Sequence, residues 1–487
     1  MSELSHRRRM LVLGICCMSL LIVSLDTTVL NVALPSIQRE LNASVAGLQW
    51  TIDAYTLVLA SLLMLAGSTA DRIGRRRVFK IGLVLFTVGS LLCSLAPNLE
   101  LLVAFRMVQA VGGSMLNPVA MSIITNTFTD PRERARAIGA WGAVVGISMA
   151  AGPLIGGFLV DAVSWRAIFW INLPVGIAAL LLTIRYVPES RAPKPRRPDW
   201  VAQILVIALL GSLTYAIIEA PGSGIGSPKI LTFGALALLS FAGLLYYEPR
   251  RAEPLIDLRF FRSAPFSGAT VIAVSAFAAL GGFLFLNTLY LQEVRGMSAA
   301  HAGVWMLPMA AMTFVCAPLS GRLLGNRGPR LPLLIAGVAM TASGVMFAAF
   351  GAETSDVTLF IGYVLFGLGF GFVNAPITNT AVSGMPRDQA GVASAVASTS
   401  RQIGSTLGVA VIGAVLASGV TATSYRTDFV AASRPAYWIL TVCGLLVLVI
   451  GVLTSGAWAR RTADRTAKLL QAEDVPPQKT AEVSSQG

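Results

Sequence analysis

Asp26, Asp53 and Arg106 each lie inside a long apolar stretch of this 487-residue chain. Charge is costly there, so ionisable groups in such places mark ion or substrate pathways. Desolvation favours the neutral form of a carboxyl group, while a neighbouring arginine or bound cation favours the carboxylate. A buried aspartate can therefore take a proton on one side and release it when its surroundings change. Asp26 shares its helical face with Ile22, Val29, Leu30 and Ala33, so any partner must come from another helix. Arg106 can serve as that partner in a static ion pair, brace its own helix, or join a proton exchange. Asp53 comes early in its stretch, just after Trp50, and can either titrate or sit at the outer interface. Arg401 shares a face with Ser394, Ser398, Ser405 and Gly408. It can bind an acidic partner, bind a polar part of a substrate, or act as a brace.

Other chemistries find little support. The five cysteines (Cys16, Cys17, Cys93, Cys316, Cys443) fall in apolar stretches with no CxxC spacing, and the only histidines are His6 in the N-terminal tail and His301 in an expected loop. Disulfide frameworks, structural zinc and Ser/His/Asp hydrolysis are not expected. No GxxxxGK[ST] loop occurs, which argues against direct ATP coupling. We expect no enzyme activity, cofactor or metal.

These residues must be positioned by membrane helices. The chain is 55% hydrophobic and only 13% charged, about half the charged fraction usual for soluble proteins. Fourteen apolar runs reach the roughly 20 residues that cross a bilayer as helix, predicting an all-α polytopic membrane protein. Of the 37 Lys and Arg, 29 fall in the tails and even-numbered connections and 6 on the other side; Arg106 and Arg401 lie within spans. By the positive-inside rule both termini are cytoplasmic and the protein is a multi-pass protein of the plasma (inner) membrane. The formal +13 is then a topological signal, and no nucleic-acid partner is implied.

Two landmarks recur. Gly67 to Gly74 follows span two and Gly321 to Gly328 follows span ten, an offset of 254. Pro131-Arg132-Glu133 follows span four and Pro386-Arg387-Asp388 follows span twelve, an offset of 255. Spans one to six thus correspond to spans nine to fourteen, and a duplicated fold of this kind binds substrate between its halves. The expected organisation is a six-helix bundle in 1–187, a basic linker and two inserted helices in 188–247, a second six-helix bundle in 248–459, and a disordered cytoplasmic tail in 460–487. The stretch Pro254 to Phe261 reads as a short interfacial segment.

Gly67-Ser-Thr-Ala-Asp71-Arg72-Ile-Gly74-Arg75-Arg76-Arg77 resembles the signature gating loop of the major facilitator superfamily. Leu25-Asp26-Thr27-Thr28 through Asn31 to Pro35 is similar to the first-helix motif of its fourteen-helix drug:proton antiporters. Arg106-x-x-Gln109-Ala110-x-Gly112 resembles the fourth-helix motif, with Ala110 where glycine is usual. Gly146 through Gly152, Pro153, Gly156 and Gly157 resembles the antiporter motif of span five. Read physically, Gly142, Gly146, Ala150, Pro153 and Gly157 form a small-residue face for close helix approach.

The resemblance implies the major facilitator fold and proton-coupled export of hydrophobic, often cationic, drugs or antibiotics by alternating access. It supports the proton-coupling role that the cost of charge inside the spans gives Asp26, Asp53 and Arg106, and it assigns gating to Gly67, Asp71, Arg72, Gly74, Arg75 and Arg76. The partners are then protons, a small hydrophobic or cationic substrate and the lipid bilayer, and the protein is expected to be a monomer. Trp50, Asn287, Tyr290, Trp305, Asn374 and Arg401 fall in spans equivalent to cavity-lining helices, where aromatic faces suit flat lipophilic cations. A dedicated exporter of one endogenous antibiotic or lipid, or an uptake permease on the same fold, is the alternative.

Overall fold

The computed structural model describes residues 5–473 apart from 193–197, 252–253, 384, 386–388 and 421–424. Fourteen helices in it are long and apolar enough to cross a bilayer, and no strand occurs among the described residues. Spans one to six are His6–Leu41, Val45–Ile73, Arg75–Ser94, Leu99–Thr127, Pro131–Ala162 and Ala167–Tyr186. Spans seven and eight are Trp200–Ser223 and Pro228–Tyr247. Spans nine to fourteen are Ala264–Val294, Ala299–Arg327, Arg330–Ala348, Asp356–Val382, Ala390–Gly419 and Tyr425–Leu453. An even number of crossings puts both ends of the described chain on one face, here called the terminal face; the other is the opposite face.

Local chemistry sets where the helices start. Ser44, Asn98, Asp130, Asp199 and Ser355 each cap a helix by accepting a hydrogen bond from a backbone N–H of its first turn. Span six is interrupted at Ile171, between the short helix Ala167–Trp170 and Asn172–Tyr186.

The helix packing repeats as the sequence does. Span one lies against four, five and six; span nine lies against twelve, thirteen and fourteen. Span three packs on four as eleven packs on twelve, and two packs on four as ten packs on twelve. The two halves meet through spans two and thirteen on one side and spans five and ten on the other, again an equivalent pair. Small residues permit these approaches: a Cβ on Gly89 would lie 2.5 Å from the Gln109 Cα.

Span seven breaks the symmetry. It packs on span two, span thirteen and span eight together. Span eight is outermost, with Leu238, Leu239 and Phe241 exposed.

Three expectations are corrected. The tail expected to be disordered from residue 460 is helical over Ala457–Glu473. Ala459, Ala463, Thr466 and Leu470 form its buried face, and the Thr462 hydroxyl accepts from the Ala264 N–H at 2.9 Å; residues 474–487 lie outside the described set. The 254–261 stretch is not merely interfacial, because Phe260 is buried and meets Phe266 edge-on at 5.4 Å. His301 lies in the first turn of span ten rather than in a loop. Pro386, Arg387 and Asp388, which mark the second repeat, fall outside the described residues.

Candidate functional site

Asp26 meets Arg106 in the middle of the first half. An Arg106 Nη donates to Asp26 Oδ2 in a buried ion pair and to Gln109 Oε1 at 2.7 Å. Arg106 Nε donates to the Thr51 carbonyl at 3.3 Å, and the Tyr55 ring lies 4.1 Å from the guanidinium. The other Asp26 oxygen accepts from Gln109 Nε2 at 2.8 Å and from Asn172 Nδ2 at 3.0 Å. Both amides also donate to Ser90 Oγ, at 2.7 and 3.1 Å. Asp26 is 4% and Arg106 1% exposed. Five helices thus contribute to one network, in which both Asp26 oxygens are engaged. Asn172 takes part because the break in span six sits immediately before it.

Asp53 is placed differently. It is fully buried inside the protein. Its Oδ1 accepts a long hydrogen bond of 3.5 Å from the Thr56 hydroxyl, and its Oδ2 has no partner. No ion pair reaches it among the described residues. Thr56 in turn accepts at 2.8 Å from Thr406 of span thirteen. Asp53 is therefore two hydrogen bonds from the other half of the molecule.

Polar latches close the opposite face. Gln49 donates to the Val409 and Ala410 carbonyls at 3.1 and 2.8 Å, joining spans two and thirteen. Gln292 donates to the Val32 carbonyl at 2.8 Å, and Arg39 pairs with Glu293 at 3.3 Å. The Asp161 carboxylate accepts from the Ala299 and Ala300 N–H groups at 3.2 and 2.8 Å, so an acid of span five caps span ten.

The glycines of span five divide between two partners. Gly152 and Gly156 face Thr28 and Val29 of span one, whereas Gly146 faces Phe314 and Gly157 faces the Ala299 backbone of span ten. Gly303 approaches the Pro153 carbonyl from the other side. A side chain at Gly157 has no room while this seam is closed. Overpacking costs about 1–3 kcal/mol, so Gly157→Ala is expected to shift the equilibrium toward opening at this face by about 5- to 150-fold. The check is alkylation, from that face, of a cysteine replacing Ala410 in a background without native cysteines. An unchanged labelling rate would show that the seam does not separate.

No hydrogen bond between the halves is found on the terminal face among the described residues. Gly139 and Gly142 have open space where a Cβ would point. The loop from span two to span three is tied within its own half. Asp71 pairs with Arg75 at 2.8 Å, and the Arg75 N–H donates to the Ser190 carbonyl at 2.9 Å. The Arg76 N–H donates to Glu189 at 3.0 Å, and its guanidinium to the Ile184 carbonyl. Gly74 has φ +119°, a left-handed turn in which a Cβ would also strike Glu189. Gly67 packs beside Pro118, and Arg72 is exposed. Among the described residues, the polar bonds between the halves thus lie at the opposite face and at Thr56–Thr406, with none at the terminal face.

Comparison with known families places this arrangement. Residues 16–409 match the family described as Major Facilitator Superfamily. The chain belongs to the Major Facilitator Superfamily. It is 38% identical over 418 residues to the multidrug resistance protein Stp of Mycobacterium tuberculosis, covering 86% of this chain and 78% of that protein. It is 40% identical over 403 residues to the tetracenomycin C resistance and export protein of Streptomyces glaucescens, covering 82% and 74%. In fold it resembles a bacterial homologue of the human lysosomal transporter Spinster, at 18% identity and a TM-score of 0.61, covering 97% of this chain and all of that one. It also resembles the nucleoside transporter NupG, at 13% identity and a TM-score of 0.64, covering 90% and 99%.

The six residues expected to line the superfamily's central cavity part company. Trp50 donates to Glu219 of span seven at 2.9 Å and lies 5.9 Å from the Tyr215 ring, so it docks the inserted helices. Asn287 accepts from the Tyr363 hydroxyl at 2.7 Å, and Tyr290 donates to the Gly351 carbonyl at 2.7 Å; both are buried within the second half. Trp305 donates to His301 at 3.1 Å. Only Asn374 and Arg401 come together, on either side of Thr378, whose hydroxyl accepts from Arg401.

Gln49, Gln292, Asp161 and Glu189 were not anticipated. Asp161 had a signal, since it follows Gly157 by one helical turn and shares its face. The two glutamines had none beyond being polar near span ends.

Proposed function

We propose that this protein exports hydrophobic drugs or antibiotics in exchange for protons, with the terminal face cytoplasmic. The multidrug resistance and antibiotic export names of its relatives support export, and the excess of basic residues in the terminal-face connections supports the orientation. The reading is carried by Asp53, a carboxyl group buried without a counter-charge at the junction of spans two and thirteen.

Burying an unpaired ion costs several kcal/mol. A protonated Asp53 therefore lets spans two and thirteen close, and an ionised one opposes closure. Loss of its proton as substrate arrives from the cytoplasm favours opening to the outside. After the substrate leaves, uptake of an external proton allows the outer seal to re-form. The six-span halves rock against each other, while the network of Asp26 and Arg106 holds the first half together throughout. The working unit is a monomer, and no nucleic acid or cofactor is involved.

A second reading is favoured by one relative. The riboflavin transporter RibZ of Clostridioides difficile is 30% identical over 450 residues, covering 91% of this chain and 97% of that protein. It supports a carrier dedicated to one compound. Proteoliposomes with an imposed pH gradient separate the readings: an exporter of broad range moves several unrelated lipophilic dyes, each stopped by an uncoupler. Transport of a single compound, or transport indifferent to the uncoupler, refutes the proposal.

A further inference from the structure

Arg401 is a cation inside span thirteen with no carboxylate partner among the described residues. Its guanidinium donates to the Thr378 hydroxyl and lies 5.9 Å from the Phe277 ring, while its Nε is buried without a partner. Thr378 donates to the Asn374 carbonyl at 3.5 Å, one turn earlier. Phe370 closes the group edge-on against Phe277 at 5.2 Å. Spans nine, ten and twelve to fourteen contain three acids, Glu293, Asp356 and Asp428, all near the opposite-face ends. Glu293 pairs with Arg39, and Asp356 with Arg295. Arg106, the buried arginine of span four, is already neutralised by Asp26.

The group lies toward the terminal-face ends of spans twelve and thirteen, where no hydrogen bond between the halves is found among the described residues. Thr378 is exposed, and Asn374, Phe277 and Arg401 are half-buried. An arginine fork beside a hydroxyl and an aromatic edge fits the planar acid of an aromatic compound. A cationic compound would meet repulsion there, since the acids within spans nine, ten and twelve to fourteen all lie near the opposite-face ends.

We infer that Arg401, with Thr378, Asn374 and Phe277, is the recognition site for the carboxylate or phenolate of an exported aromatic acid. This rests on the export reading above and gives it a substrate class. It has an electrical consequence: one proton entering while one monovalent anion leaves moves two positive charges inward, whereas exchange for a monovalent cation moves none.

Fluorescein and rhodamine 6G test this on one ring system, as anion and cation. In proteoliposomes under a pH gradient, wild type is expected to export fluorescein, faster when valinomycin imposes an inside-negative potential. Losing one partner of a hydrogen-bonded charge pair predicts at least about a thirtyfold weaker apparent affinity for fluorescein in Arg401→Gln. Arg401→Lys is expected to fall between, and rhodamine 6G transport is not expected to drop in either. Thr378→Ala, with a thermal unfolding profile like wild type, is expected to weaken fluorescein alone. Equal losses for both dyes in Arg401→Gln would reduce Arg401 to a brace and overturn the inference. Wild-type export of rhodamine 6G but not fluorescein would overturn it while leaving the export reading intact. Movement of neither dye would overturn both.

Discussion

Asp53→Asn is expected to leave a protein that still binds and exchanges drug but no longer uses a pH gradient to accumulate it. With one proton per cycle, each pH unit contributes about 1.4 kcal/mol, or about a tenfold concentration ratio at equilibrium. The variant should show no such ratio, while counterflow of labelled against unlabelled drug, which needs no net proton movement, continues. The reason lies in the surroundings of the side chain. Asp53 is fully buried, with one long hydrogen bond from Thr56 and no cation. Asparagine has nearly the same shape and is permanently neutral, so it reproduces the protonated acid and lets the Thr56 to Thr406 link form. The seal can then close without a proton, and closing and proton uptake are uncoupled. Persistence of tenfold accumulation per pH unit in Asp53→Asn would move the coupling site elsewhere.

Asp26→Asn is expected to fail for another reason. Its carboxylate is the counter-ion of Arg106 and the acceptor for Gln109 and Asn172. Removing one partner of a buried ion pair leaves an uncompensated charge, at a cost of about 3–5 kcal/mol. Thermal unfolding in detergent should show a strong destabilisation, and export should be lost together with counterflow. Combining it with Arg106→Gln removes both charges and should recover much of the stability, because a neutral polar network replaces the orphaned ion. If Asp26→Asn unfolds like wild type and loses only the gradient-driven component, Asp26 is itself a coupling residue. The pair of variants therefore assigns different work to two aspartates that look alike in sequence.

That likeness shows where reading the chain alone runs out. Fourteen spans could be found because each is a contiguous apolar run, and the duplication because two connections recur at nearly one spacing. The partnership of Asp26 with Arg106 was among the options, since few charges lie inside the spans. Whether Asp53 had a partner could not be told, for the answer depends on which face of span two meets span thirteen. The latches at Gln49 and Gln292 are bonds from side chains to distant backbone carbonyls, and a carbonyl leaves no mark in a sequence. Trp50 pointed toward a cavity by its aromatic character, yet Glu219 of an inserted helix claims it. The helix at 457–473 was missed because its composition is polar; its stripe of Ala459, Ala463, Thr466 and Leu470 is narrow, and only the packing on span nine makes it count.

The inserted span seven covers the junction of spans two and thirteen, while its counterpart at spans five and ten has no such cover and is flanked by the exposed side chains of Leu154, Phe158 and Trp170. The protein therefore has a front and a back in the plane of the bilayer. Acyl chains touch the moving joint along one flank and a shield of two helices along the other. Rocking of the halves as proposed above brings lipid directly against the joint on the bare flank, so its mechanical cost depends on lipid packing there.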